Sequence, residues 1–158
     1  MMTVTSNPID RQIIKFIRKH HILTLATSFD NKPFCATCFY AYIREKNVFI
    51  ITSDKDTRHI HEAVQQKIIA GAIALETRVI GKIQGIQFTG KIEELTEEKL
   101  KESRKEYINR FPYAKPFLKD TAFWQIIPDF FKLTNNNLGF GKKIIWNYIA
   151  DFQSISIL

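Results

Sequence analysis

The chain has 158 residues, 45% of them hydrophobic and 25% charged, which fits one globular domain over 1–158 and excludes a disordered chain or two domains of ordinary size. No run approaches the ~18 apolar residues of a membrane span, residues 1–10 lack the basic and apolar regions of a signal peptide, and two cysteines cannot build a disulfide framework; a cytoplasmic protein is expected. The net charge of +7 is uneven, because residues 93–106 hold six Glu against four Lys or Arg and leave +9 on the remainder, a field that attracts anionic partners in general.

Asn7 and Pro8 read as the N-cap and first residue of a helix over 8–20, along which Ile9, Ile13, Phe16 and Ile17 recur at helical spacing. The alternating stretch 21–27 predicts a strand, 29–33 its hairpin turn, and 34–43 a second strand that is apolar on both faces. One face of that strand belongs to the core; the other needs a second sheet, a ligand or another subunit to cover it. After a turn at 44–47, residues 48–53 form a third strand. Asp54 to Asp56 hold capping residues for a helix over about 56–67, with Ile60, Ala63 and Val64 as its apolar stripe. Residues 68–76 read as a buried strand and 86–93 as a strand with one wet face. Thr96 is the N-cap of the next helix, Leu95 and Leu100 have the spacing of a hydrophobic staple, and Pro112 ends it. A last strand covers about 124–134, at an edge or bulged at Pro128. A tail over 135–158 is turn-rich and then apolar at 144–149. Consecutive hairpins with few peripheral helices predict an antiparallel barrel in a mainly β (α+β) chain rather than a doubly wound parallel sheet.

Cys35 and Cys38 have C-x-x-C spacing, but positions three apart on a strand point to opposite faces and no second cysteine pair completes a zinc site. Both are expected to be small core residues. His59 and His61, two apart on a helix, share no face. No H-E-x-x-H, G-x-S-x-G or P-loop signature is present, so no metal site and no catalytic group is assigned. The stretch richest in chemistry is Thr52-Ser53-Asp54-Lys55-Asp56-Thr57-Arg58-His59, which leaves a buried strand and enters a helix. Hydroxyls, a Lys and an Arg meet there with the outward N–H groups and positive dipole end of the helix, which is how a phosphate is held. A capping sequence with two solvated cations accounts for the same residues.

The order helix, hairpin strands, strand–TSxKxTRH–helix, buried strand and the ending LTNNNLGFGKKIIW resembles the YhbP-like branch of the pyridoxamine phosphate oxidase-related proteins over about residues 9–147. FCATCFYAY, SDKDTRH, IQGIQFTGKI, NRFPYAK and NLGFGKKIIW carry the resemblance most specifically. It implies a split antiparallel β-barrel with peripheral helices, which dimerises and binds FMN between subunits. It further implies Thr52 and Ser53 along the isoalloxazine and ribityl chain, and Lys55, Thr57, Arg58 and His59 around the phosphate. Thr37 falls where the oxidases proper place an Arg, and Tyr42 near their Lys. Lys142, Lys143 and Trp146 occupy the region of the oxidases' C-terminal substrate pattern, and Trp146 is expected as a wall of the partner's cofactor cleft. The expectation is a homodimeric, flavin-dependent oxidoreductase of unknown substrate. The alternative is a non-catalytic binder of flavin, haem or another phosphorylated ligand. Nucleic acid fits less well, since no basic run is interleaved with aromatics.

Overall fold

The computed structural model describes residues 7–148. Helix α1 spans Arg11–Lys19, followed by strands β1 (Ile22–Phe29), β2 (Lys32–Ile43) and β3 (Val48–Thr52). Helix α2 (Arg58–Gln65), strands β4 (Ile68–Ala74) and β5 (Gln84–Glu94), helix α3 (Glu97–Arg110) and strands β6 (Phe123–Asn135) and β7 (Lys143–Asn147) complete the order. Neighbouring strands are antiparallel in the order β3-β2-β1-β4-β5-β6-β7, and an additional β3–β6 pairing closes six of them into a barrel.

The split lies on β6. Residues Phe123 to Ile126 pair with β3, whereas Phe130 to Thr134 pair with β7 along the same edge. Pro128 stands where the strand changes partner, and having no N–H it leaves no donor stranded there. Opposite it the register with β5 slips at Thr89/Gly90, so Asp129 is left out of that ladder. Gly90 is required at this bulge, because a Cβ would sit 2.3 Å from the carbonyl oxygen of Ile127. The strand is therefore bulged in the sheet interior, not at an edge.

Two apolar layers hold the barrel. Inside, Leu23, Leu25, Tyr40, Phe49, Ile51, Phe88 and Phe131 interdigitate, with Ile13, Phe16 and Ile17 of α1 and Ile60 and Ala63 of α2 pressed into them. Outside, Ala41, Ile43, Val48 and Ile50 meet Tyr107 of α3 together with Leu95, Leu118 and Phe123. Each fully buried side chain of this size contributes roughly 1.5–3 kcal/mol. The double layer explains why β3 is buried on both faces. It also covers half of the second face of β2, through Ala41 and Ile43, and leaves Cys35, Thr37 and Phe39 exposed.

Several local expectations shift. Helix α1 starts later, capped by Asp10, whose carboxylate accepts from the Gln12 N–H at 2.7 Å; Asn7 is not the cap. A carboxylate serves a helix N-terminus better than an amide, because it adds charge to the hydrogen bond. Val64 is exposed and lies off the apolar stripe of α2. Cys35 is exposed and only Cys38 is a core residue, its thiol pushed up to about 11 by burial. The apolar tail segment is strand β7, held by β6. Residues 149–158 of that tail lie outside the described residues.

Candidate functional site

The junction between β3 and α2 is tied to the barrel by its backbone. The Ser53 N–H donates to the Ala122 carbonyl at 3.1 Å, and the Trp124 indole Nε1 donates to the Ser53 carbonyl at 3.0 Å. With its main chain fixed on both sides, Ser53 directs its hydroxyl to His59 Nε2 at 2.7 Å and Thr57 Oγ1 at 3.2 Å. Thr57 occupies the N-cap of α2 but makes no capping bond; its hydroxyl turns back to the Asp54 carbonyl at 2.9 Å. Asp54 and Asp56 do not cap the helix either, and no acid lies in its first turn. The leading N–H groups of α2 thus keep their unsatisfied, electropositive character beside three polar side chains.

Arg58 is held from two directions. Its Nε donates to Glu62 Oε1 at 2.8 Å, and its guanidinium lies 4.2 Å from the centre of the Phe34 ring. Glu62 is fixed in turn by the buried Thr27 hydroxyl, which donates to Oε2 at 2.6 Å. The bonds from Thr27 and Arg58 hold the Glu62 carboxyl below its ordinary range, so it stays ionised and keeps its grip. Both Nη groups of Arg58 have no hydrogen-bond partner among the described residues, so the forked end of the guanidinium keeps its donors unused there. Burial lowers the pKa of His59 against the opposing pull of Glu62, so the imidazole is a neutral hydrogen-bonding group near pH 7.

The remaining sequence-derived residues separate from this group. The Lys55 ammonium pairs with Glu94 at 2.6 Å, on the side of a cavity of about 600 Å³ that also holds Asp54, Asp56 and Asp120. Four carboxylates against Lys55, Arg104 and Lys119 make that cavity a poor host for a phosphate dianion. Thr52 turns under α3, its hydroxyl 3.4 Å from the Tyr107 hydroxyl. Thr37 is exposed on the outer face of β2, paired with Thr24. Tyr42 packs its ring against Phe49 and donates to Asn47 Oδ1 at 2.8 Å.

Lys142, Lys143 and Trp146 lie toward the other end of β6. Trp146 pairs with Phe131 and Thr52 with Phe123, eight residues apart, or roughly 26 Å along a strand. The Trp146 ring is buried against Phe131 and its Nε1 donates to the Asn7 carbonyl at 2.7 Å. It packs in the core of its own chain and also lines a cavity of about 400 Å³ with Pro8, Ile127 and Tyr148. Lys142 and Lys143 are exposed. Sequence reasoning missed Glu62, Thr27, Phe34 and Trp124. The Arg58–Glu62 spacing of four on a helix was the one readable signal; Thr27 and Phe34, paired with each other on β1 and β2, reach the site where α2 packs on those strands, and Trp124 reaches it through the pairing of β6 with β3.

No family model matches the chain. Among solved structures, a haem-binding protein from Mycobacterium smegmatis superposes with a TM-score of 0.71 at 14% identity, covering 84% of this chain and 55% of that one, so this chain spans about half its length. A FAD-binding protein from Mesorhizobium loti superposes with a TM-score of 0.64 at 13% identity, covering 80% of this chain and 95% of that one. These likenesses show the fold, a split barrel of the pyridoxamine phosphate oxidase-like kind. Among the described residues no helix is long and apolar enough to cross a membrane. A UPF0306 protein of Yersinia pestis bv. Antiqua (strain Angola) is 35% identical over 145 residues, which cover 91% of this chain and 97% of the relative. With the split barrel and near end-to-end agreement together, the chain belongs to the UPF0306 family.

Proposed function

We propose that the chain is a YhbP-like, homodimeric FMN-binding protein, and that flavin-dependent oxidoreduction of a small molecule is its activity. The observation that carries the reading is the uncapped N-terminus of α2, with Ser53, Thr57 and His59 gathered beside it and the fork of Arg58 aimed by Glu62. These residues fit a phosphate: amides and hydroxyls donate to its oxygens, Arg58 offers a bidentate charge-assisted contact, and neutral His59 adds a hydrogen bond. Lys55 contributes after leaving Glu94, a largely exposed pair that costs about 0–1 kcal/mol to break. When bound, FMN supplies the redox chemistry itself, so the chain's part is to bind, orient and exclude water.

The outer face of the barrel supports the dimer. Across β2, β1, β4 and β5 the rows Thr37–Thr24–Ala72–Gln87 and Cys35–Ala26–Ala70–Thr89 carry no charge. Small uncharged side chains on a paired surface let a second sheet approach closely, and Ile22 and Phe39, both about half exposed, border it. Thr37 then lies at the subunit boundary, where Thr52, Ser53 and the exposed Lys142 and Lys143 of two copies complete one cleft.

The absorbance spectrum of the purified protein, recorded with its sedimentation, tests the reading. Flavin bands on a species of about twice 18.5 kDa are expected. A Soret band in place of the flavin bands would move the assignment to haem, and a monomer at micromolar concentration would remove the shared cleft.

A further inference from the structure

A cleft of about 830 Å³ between α1, the β2–β3 turn and the C-terminal end of α3 is lined by Arg11, Lys15, Arg18, Lys19, Arg44 and Arg110, with Ile14 the sole uncharged residue of its lining among the described residues. Four of the cations lie on α1 at spacings of four, three and one. They form a solvent face about 12 Å long, opposite the buried Ile13, Phe16 and Ile17.

Part of this charge has a local duty. Arg18 and Lys19 stand in the last turn of α1, where the helix dipole favours cations. Arg110 Nη2 donates to the Arg18 carbonyl at 2.8 Å and the His20 carbonyl at 3.0 Å, which closes that end and fixes the guanidinium at the cleft. Arg11, Lys15 and Arg44 have no such duty. Arg11 even opposes the dipole, standing in the first turn of α1 where no acid is placed. Among the described residues none of the six forms an ion pair, although three other cations of the chain do. Of the described carboxylates beside the cleft, none pairs with its cations: Asp10 caps α1, Glu45 shares an adjoining cavity with Arg44 and Lys46, and Glu106 shares another with Arg18 and Arg110.

Like charges gathered without counter-ions raise the energy of the free protein and lower it when a multivalent anion enters. Six cations exceed what one phosphate dianion neutralises. Among the described residues no aromatic ring lines the cleft, so a base or flavin finds no stacking surface there and recognition rests on phosphate oxygens. We infer that this cleft binds a compact anion carrying several linked phosphates, either a linear oligophosphate or the triphosphate of a nucleotide. It is separate from the β3–α2 junction and shares no residue with it.

Calorimetric titration of the full chain with tripolyphosphate, orthophosphate, ATP and an oligothymidylate tests this. Tripolyphosphate should bind about tenfold or more tighter than orthophosphate, and the double variant Lys15→Glu/Arg44→Glu should lose about ten- to a hundredfold of that affinity. Arg58→Ala should leave it unchanged. ATP matching tripolyphosphate points to a nucleotide triphosphate as well as a linear oligophosphate, and ATP binding more weakly points to the linear form; either supports the cleft. Should the reversal fail to fold, Lys15→Gln/Arg44→Gln with an unchanged melting temperature carries the same comparison. The inference is overturned if orthophosphate binds as well as tripolyphosphate, if the cleft variants change nothing, or if Arg58→Ala abolishes binding. It is also overturned if the oligothymidylate binds tighter than tripolyphosphate with steep salt dependence, which would make the cleft a nucleic-acid track.

Discussion

Two regions of this molecule concentrate positive charge, and they are built in opposite ways. At the β3–α2 junction a single guanidinium is aimed by Glu62, rests on Phe34, and sits beside a backbone anchored by Trp124. Along α1 six cations share a wide cleft with no ion pair among the described residues, and only Arg110 is held by hydrogen bonds. The junction has little charge held by several contacts; the cleft has much charge held by few. Charge alone attracts an anion, whereas a fixed donor set selects its geometry.

The junction is most sensitive at Trp124. Replacing it with Phe removes the indole N–H that holds the Ser53 carbonyl and shrinks a buried side chain, so Trp124→Phe should cost about 1–3 kcal/mol and weaken flavin binding with it. Urea unfolding followed by FMN titration reads both effects. A cleft residue should behave in the opposite sense. Arg11→Glu puts an acid into the first turn of α1, which now has none, and should stabilise the chain by about 0.3–1 kcal/mol. A lowered melting temperature would show that Arg11 has a structural partner. The smallest effect is in pH. Burial lowers the pKa of His59, and likewise of His20 and His21, where Lys19 and Arg110 respectively add repulsion. The unfolded chain therefore takes up these protons first. Stability is full above about pH 6.5 and is lost as the pH falls from there through the folded-state values. Melting temperatures recorded between pH 8 and 5 should drop at the acid end, and His59→Gln should flatten part of the drop.

Much of the barrel was legible because its strands alternate or run apolar between clear turns, as at Ile86 to Glu93. Strand β7 was not, since its apolar residues read equally as packing for a tail until β6 offers them an edge. The outer layer under α3 was hidden for a similar reason. An apolar second face on β2 shows only that something covers it, and here half of the cover is Tyr107 and its neighbours from a distant helix. At the candidate site, the gathering of Ser53, Thr57 and His59 follows from their closeness in the chain. The separation of Lys55 from Arg58 does not, because it is imposed by Glu94 on β5 and Glu62 on α2.

On the proposed reading, Arg58 meets a phosphate. FMN and riboflavin differ by that group alone, so both are titrated against the wild type and Arg58→Ala, with melting temperatures recorded alongside. A charge-assisted contact is worth roughly 1.5–3 kcal/mol, which predicts a loss of about ten- to a hundredfold in FMN affinity. Riboflavin should bind the wild type weakly and be indifferent to the substitution. Equal losses for the two flavins would contradict the account and leave Arg58 as a structural partner of Glu62.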